Sequence, residues 1–296
     1  MTYNILPKPK QITETSGVFN TENRDIAIIG DIDKRIIRKA AQLQKLLCKV
    51  DLTAHKLYRN DDSGAKITVG IDSALSNEQY TLDISPSKIS ISGGDAAGCF
   101  YGLVTLTQLI NTYKNKLPAL QINDYPDFKH RGFYHDATRG RVPSVDGVKK
   151  IVDTLAALKV NSLQLYVEHT FDFAEFKNFG RTESDYLTAQ DILEIDRYCY
   201  DNFIDFIPSL STFGHLYELL QNDKYNEEHH HLLWILNKYH NCSCKASDKC
   251  TEHRDKGKYS YYYAHCKSVR NLEYGHCYKK HKSEYAGLKA LTRYKD

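Results

Sequence analysis

Four polar residues stand where this chain could do chemistry: Arg139, Glu168, His169 and His215. Each closes or follows a short apolar run, Gly132–His135 before Arg139, Ser162–Val167 before Glu168-His169 and Ile204–Pro208 before His215. A guanidinium is a rigid fork of donors that can hold neighbouring hydroxyl groups in one orientation. Its competing use is an ion pair with Asp136 or Asp124 that closes the strand end. A neutral imidazole donates from one nitrogen and accepts at the other, which suits His215 to a bridging role. A histidine at a strand end is also often just a satisfied polar residue. Charged groups at the carboxyl ends of buried strands are where a β/α barrel places its ligand contacts.

Other chemistries are less well supported. The tail holds Cys242-x-Cys244, Cys250-x₂-His253, His265-Cys266 and His276-Cys277, enough soft ligands for a zinc ion. Cys-x-Cys is tighter than the usual paired spacing, so composition alone is the preferred account and no metal or other cofactor is expected. Gly93-Gly94 is followed by neither a Lys-Ser/Thr pair nor a dinucleotide fingerprint, which leaves close packing as its role. Glu227-Glu228 sits in a polar run and reads as a solvated acidic turn.

The elements that must position these residues follow from periodicity. Ile36, Ile37, Ala40, Leu43, Leu46 and Leu47 make one face of a helix over Asp33 to Val50. Residues 66–71, 80–84 and 88–92 alternate like half-buried strands, and Gly93-Gly94 stops the third. Asp95 then opens an amphipathic helix through Phe100, Leu103, Leu106 and Ile110, giving a small sheet with helices on one side. From Gly132 the pattern is strand, helix, strand, helix, strand. Ser144 caps a helix with Val145, Val148, Ile151, Val152, Leu155 and Leu158 on its apolar stripe. Thr188-Ala-Gln-Asp191 caps another, which buries Ile192, Ile195 and Cys199. Such alternation implies parallel strands whose carboxyl ends share one rim.

Asp124-x-Pro, Arg131-Gly132, Asp136, Arg139 and the Gly214-His215 after the third strand come in an order that resembles family 20 of the glycoside hydrolases, the β-N-acetylhexosaminidases. Ile5–Lys10 and the Gly98–Ile110 run resemble the accessory domain that precedes the barrel in that family. The resemblance implies an α/β fold: a small α/β accessory domain, then an incomplete or divergent (β/α)₈ TIM-type barrel. It implies hydrolysis of terminal N-acetylhexosamine from glycans by a retaining mechanism in which the substrate's acetamido oxygen is the nucleophile. It also implies that Arg139 holds hydroxyls of the terminal sugar, that His215 helps organise the centre, and that Glu168-His169 stands in place of an acidic pair. That departure leaves the partner of His215 open, with Asp172 a candidate. The family's catalytic residues form an Asp-Glu dipeptide, and none occurs in the 296 residues, so no catalytic pair is identifiable. The alternatives are a non-catalytic sugar-binding remnant and a zinc-stabilised interaction module.

The chain is expected to divide into an accessory domain at 1–122, a barrel segment at 123–220 and a weakly ordered Tyr/Cys/His/Lys-rich tail at 221–296. A full barrel takes about 250 residues, so a truncated product, a shifted reading frame or a divergent relative would each read this way. Hydrophobic content of 41%, charge of 26% and a net charge of +3 suggest a soluble protein without a nucleic-acid footprint. With no secretory signal or membrane-length run, a cytoplasmic protein whose partner is an N-acetylhexosamine-containing glycan is expected, with neither nucleic acid nor membrane bound. Cys48, Cys99 and Cys199 lie amid apolar neighbours and read as buried small hydrophobes.

Overall fold

The computed structural model describes residues 3–30, 33–61, 64–168, 170–171 and 186–210, all within one unit that runs to Leu219. The tail from 221 onward, with its cysteines and Glu227-Glu228, lies outside the described residues.

The first sheet contains β1 (Gln11–Asn20), β2 (Ile26–Ile29), β3 (Leu57–Arg59), β4 (Ile67–Ile71), β5 (Tyr80–Ile84), β6 (Ile89–Gly93) and β7 (Lys116–Asp124). Their order is β1-β7-β5-β6-β4-β2-β3, parallel from β6 to β3 and antiparallel from β6 through β1. Helix α1 (Lys34–Asp51) supplies the crossover between β2 and β3. It is capped by Asp33, whose carboxylate accepts from the Arg35 amide, and it buries Ile36, Ala40, Leu43 and Leu47. The expected strands at 66–71, 80–84 and 88–92 are β4, β5 and β6. Strand β1 carries no strand signal in its sequence, which is polar with only Phe19 buried, as befits an edge. The polar face of the sheet is tied by side chains, Thr68 to Ser90 and Gln121 to Asp83.

Helix α2 (Ala96–Tyr113) starts where expected, with the Asp95 carboxylate accepting from the Gly98 amide at 2.7 Å. It is not amphipathic, however. Every residue from Gly98 to Leu106 is buried, because the helix packs on the sheet, on α1 and on the segment that follows. The glycines at its start have a steric cause. A Cβ on Gly98 would lie 2.2 Å from the Gln79 carbonyl oxygen, and one on Gly93 would lie 2.2 Å from the Cys99 nitrogen.

The second sheet has β8 (Gly132–Asp136), β9 (Ser162–Tyr166) and β10 (Asp205–Ser209), parallel and in the order β10-β9-β8. The register pairs Gly132 and Asp205 with Ser162, and Asp136 and Ser209 with Tyr166, so the carboxyl ends are level. Helices α3 (Val145–Ala157) and α4 (Ala189–Asp201) make the connections. The Ser144 hydroxyl accepts from the Gly147 amide, and Thr188 with Asp191 forms a complete capping box. Val148, Val152 and Leu155 of α3 and Ile195 and Cys199 of α4 are buried in one core with Leu163 and Leu165. Leu158, expected on the apolar stripe, falls just past the helix end and is exposed.

Two polar networks join the sheets at the amino ends of β8 and β9. In the first, Arg131 grips Glu78 with both terminal nitrogens at 3.0 Å, donates to the Tyr101 hydroxyl, and is flanked by Asn161, which also donates to Glu78. In the second, Lys159 donates to Asp124 and to the Tyr80 hydroxyl, both at 2.8 Å, and Tyr80 also bonds Thr105. Apolar contact completes the joint: Phe100 of α2 meets Phe203, with centroids 5.0 Å apart, and the Arg35 guanidinium lies over the Phe203 ring.

Candidate functional site

The rim is built by alternation. In β8, Tyr134 and Asp136 point to the face opposite α3 and α4, and across the ladder Asp136 stands beside Tyr166. The chain leaves β8 through Ala137, whose amide donates to the Tyr166 carbonyl, and Asp136 then organises the next two residues. Its Oδ1 accepts from the Thr138 amide at 2.8 Å and the Thr138 hydroxyl at 2.6 Å. Its Oδ2 accepts from Arg139 Nη1 at 2.7 Å. Arg139 Nη1 also donates to the Thr138 hydroxyl at 3.1 Å. Nη2 reaches across to Glu168 Oε1 at 3.4 Å, and Glu168 in turn accepts from the Tyr166 hydroxyl.

Arg139 therefore sits between carboxylates contributed by two adjacent strands, with 54% of its side chain still exposed. The Tyr166 ring lies beneath it, 5.8 Å from the guanidinium carbon, and the Tyr134 ring stacks on Tyr166 at 5.9 Å. Burial pushes the Asp136 carboxyl up, but the bonds from Thr138 and Arg139 outweigh it and hold the group well below the usual carboxylate range. The Arg139 guanidinium is held more firmly charged by the hydrogen bond to Asp136. At neutral pH the rim thus presents a fixed cation with a half-open fork beside an aromatic face, a combination able to hold adjacent hydroxyls.

Of the four expected site residues, Arg139 and Glu168 are brought together, while His169 and His215 lie outside the described residues, as does Asp172. The ion pair weighed for Arg139 forms with Asp136. Asp124 is committed elsewhere, to Lys159 and Tyr80. Thr138 and Tyr166 are further site neighbours; the sequence marks only Tyr166, two residues before Glu168 in an alternating strand. Among the described residues no group of three or more His, Cys, Asp or Glu could hold a metal ion. Cys99 and Cys199 are buried free thiols and Cys48 is half-buried.

A level row of three parallel strands joined by helices, with a cation and carboxylates at the carboxyl ends, is the arrangement of a β/α-barrel segment. Two family models match in succession: "Glycosyl hydrolase family 20, domain 2" over residues 2–125 and "Glycosyl hydrolase family 20, catalytic domain" over residues 128–264. The chain belongs to glycosyl hydrolase family 20. Among curated relatives it is similar to a beta-hexosaminidase of Porphyromonas gingivalis, 30% identical over 72% of this chain and 30% of that protein. Among solved structures it is similar to a chitobiase of Flavobacterium johnsoniae, with a TM-score of 0.64 and 26% identity over 74% of this chain and 36% of that one. The exo beta-N-acetylglucosaminidase of Vibrio harveyi, solved with N-acetylglucosamine, shares the fold at a TM-score of 0.62 and 21% identity over 73% of this chain and 37% of that one. The chain thus spans about a third of the length of these relatives.

Proposed function

We propose that this protein binds the terminal N-acetylhexosamine of a glycan, with the Arg139 fork on neighbouring sugar hydroxyls and Glu168, His169 and His215 completing the contact. The observation that carries this reading is the half-exposed Arg139 at the carboxyl end of β8, paired with carboxylates from two strands above the Tyr166 ring. A fork held this way loses little further freedom when it meets a ligand, which favours binding. The hexosaminidase and chitobiase relatives support the sugar class.

Hydrolysis is a separate matter. In the substrate-assisted mechanism that the family resemblance implies, the acetamido oxygen attacks the anomeric carbon. An Asp orients that group and the adjacent Glu protonates the leaving oxygen. General-acid assistance is worth a factor of about 10²–10⁴. The 296 residues contain no Asp-Glu dipeptide, so this chain is proposed to bind sugar without efficient turnover.

The test pairs binding with turnover on the full chain. Calorimetric titration with N-acetylglucosamine should show weak binding that is lost in Arg139→Ala, while an aryl N-acetylglucosaminide is cleaved slowly or not at all. Brisk turnover unaffected by Arg139→Ala would sink both the site and the mechanism.

A further inference from the structure

The Arg139 contacts close into a ring. Arg139 Nη1 donates to Asp136 and to the Thr138 hydroxyl, and that hydroxyl donates to the other oxygen of the same Asp136. The Thr138 amide reaches Asp136 as well, so the carboxylate fixes both the backbone turn and the guanidinium that leaves it. Thr138 is buried, whereas Arg139 is half-exposed, so the turn has an anchored side and a presented side. By distance the hold of Asp136, at 2.7 Å, is stronger than that of Glu168, at 3.4 Å. An arginine fork has several rotamers of similar energy. A three-membered ring that engages one edge of Nη1 selects among them before any ligand arrives.

We propose that Asp136 and Thr138 are positioning residues for Arg139: they set the plane and direction of its guanidinium and so determine how well it meets a pair of hydroxyls. This rests on the sugar-binding reading of the site, but the orientation of the guanidinium can be measured without any sugar. Asp136→Asn keeps shape and loses charge. Thr138→Val keeps shape and loses the hydroxyl that closes the ring. Thr138→Ser keeps the hydroxyl and loses only the methyl.

The experiment uses the full chain and two readouts. The first is the rate of rotation about the Arg139 Nε–Cζ bond by nitrogen-15 NMR, assigned with Arg139→Ala. Rotation should be slow in the parent, faster in Asp136→Asn and Thr138→Val, and slow again in Thr138→Ser. The second is the dissociation constant for N-acetylglucosamine. It should rise about tenfold in Asp136→Asn and in Thr138→Val, as expected when the ligand must order an arginine no longer held in one orientation, and stay near the parent value in Thr138→Ser. Rotation unchanged in both Asp136→Asn and Thr138→Val would overturn the proposal whatever the sugar does. So would unchanged affinity in those variants when Arg139→Ala abolishes binding. If the parent binds no sugar, the functional reading falls, and the rotation rates alone then decide the positioning claim. Should Asp136→Asn fail to fold, the Thr138 pair carries the same comparison.

Discussion

At the residue scale the rim is governed by one carboxylate. Asp136 receives bonds from the Thr138 hydroxyl, the Thr138 amide and Arg139, and these outweigh the upward push of burial. Its folded value is therefore depressed below the unfolded one, near 3.9 for an aspartate. A depressed carboxylate adds stability that is fully present above the unfolded value and is lost as pH falls toward the folded one. Stability measured by urea unfolding should therefore drop on going below about pH 4, with a shallower slope in Asp136→Asn. Parallel slopes in the two proteins would show that Asp136 is no better held in the folded chain than in the unfolded one. Glu78 shows the same direction: burial opposes, and its bonds to Arg131, Asn161 and Tyr101 prevail. A double substitution with Glu78→Gln should flatten the slope further.

Elements are held by their caps and by the closeness of their packing. The capping box of α4 satisfies the Asp191 amide from Thr188 and the Thr188 amide from Asp191. Thr188→Ala should therefore lower stability by about 1 kcal/mol, whereas Leu193→Ala on the exposed side of the same helix should change it by less than about 0.5 kcal/mol. Chemical denaturation of both variants tests the contrast. Packing dominates at α2. The Cβ added by Gly98→Ala would meet the Gln79 backbone oxygen at 2.2 Å, and backbone cannot swing aside as a side chain can. A loss of about 1–3 kcal/mol is expected, as for other overpacked sites. A neutral Gly98→Ala would mean that α2 stands farther from the Gln79 loop than the geometry gives.

On the scale of the whole molecule, the joint between the two sheets is the feature with the largest consequences. Lys159, at a φ of 57°, turns inward beyond α3 and places its ammonium on Asp124 with about nine-tenths of both side chains covered. Breaking such a pair by removing one partner costs about 3–5 kcal/mol, because it strands a buried charge, while removing both is far gentler. Asp124→Leu should thus destabilise severely, and adding Lys159→Met should recover a large part of the loss, a non-additivity that a double-mutant cycle measures. Additive effects would show that the pair is not coupled. The joint lies at the amino ends of β8 and β9, away from the Arg139 rim, so these variants bear on stability and leave the Arg139 contacts in place. In a β/α barrel that end of the strands serves stability and the other end serves chemistry.

The sequence by itself determined what local signals carry. Alternation and capping residues gave β8, α3, β9, α4 and β10 in order, with Ser144 and Thr188 as caps, because period and cap chemistry act over a few residues. The same alternation located Arg139 and Glu168 at strand ends, and the motif order pointed to the family. The tertiary structure decided what depends on distant partners. The polar edge strand β1 is a strand only because β7, about a hundred residues later, supplies its ladder. The helix α2 is buried on nearly all sides because a second layer covers the face that would otherwise meet solvent. Arg131 belongs to the same motif as Arg139 yet grips Glu78, 53 residues upstream, and Asp124 serves Lys159 rather than Arg139. Ion pairs are chosen by which groups share a dry, close space, and only the packed chain brings those groups together.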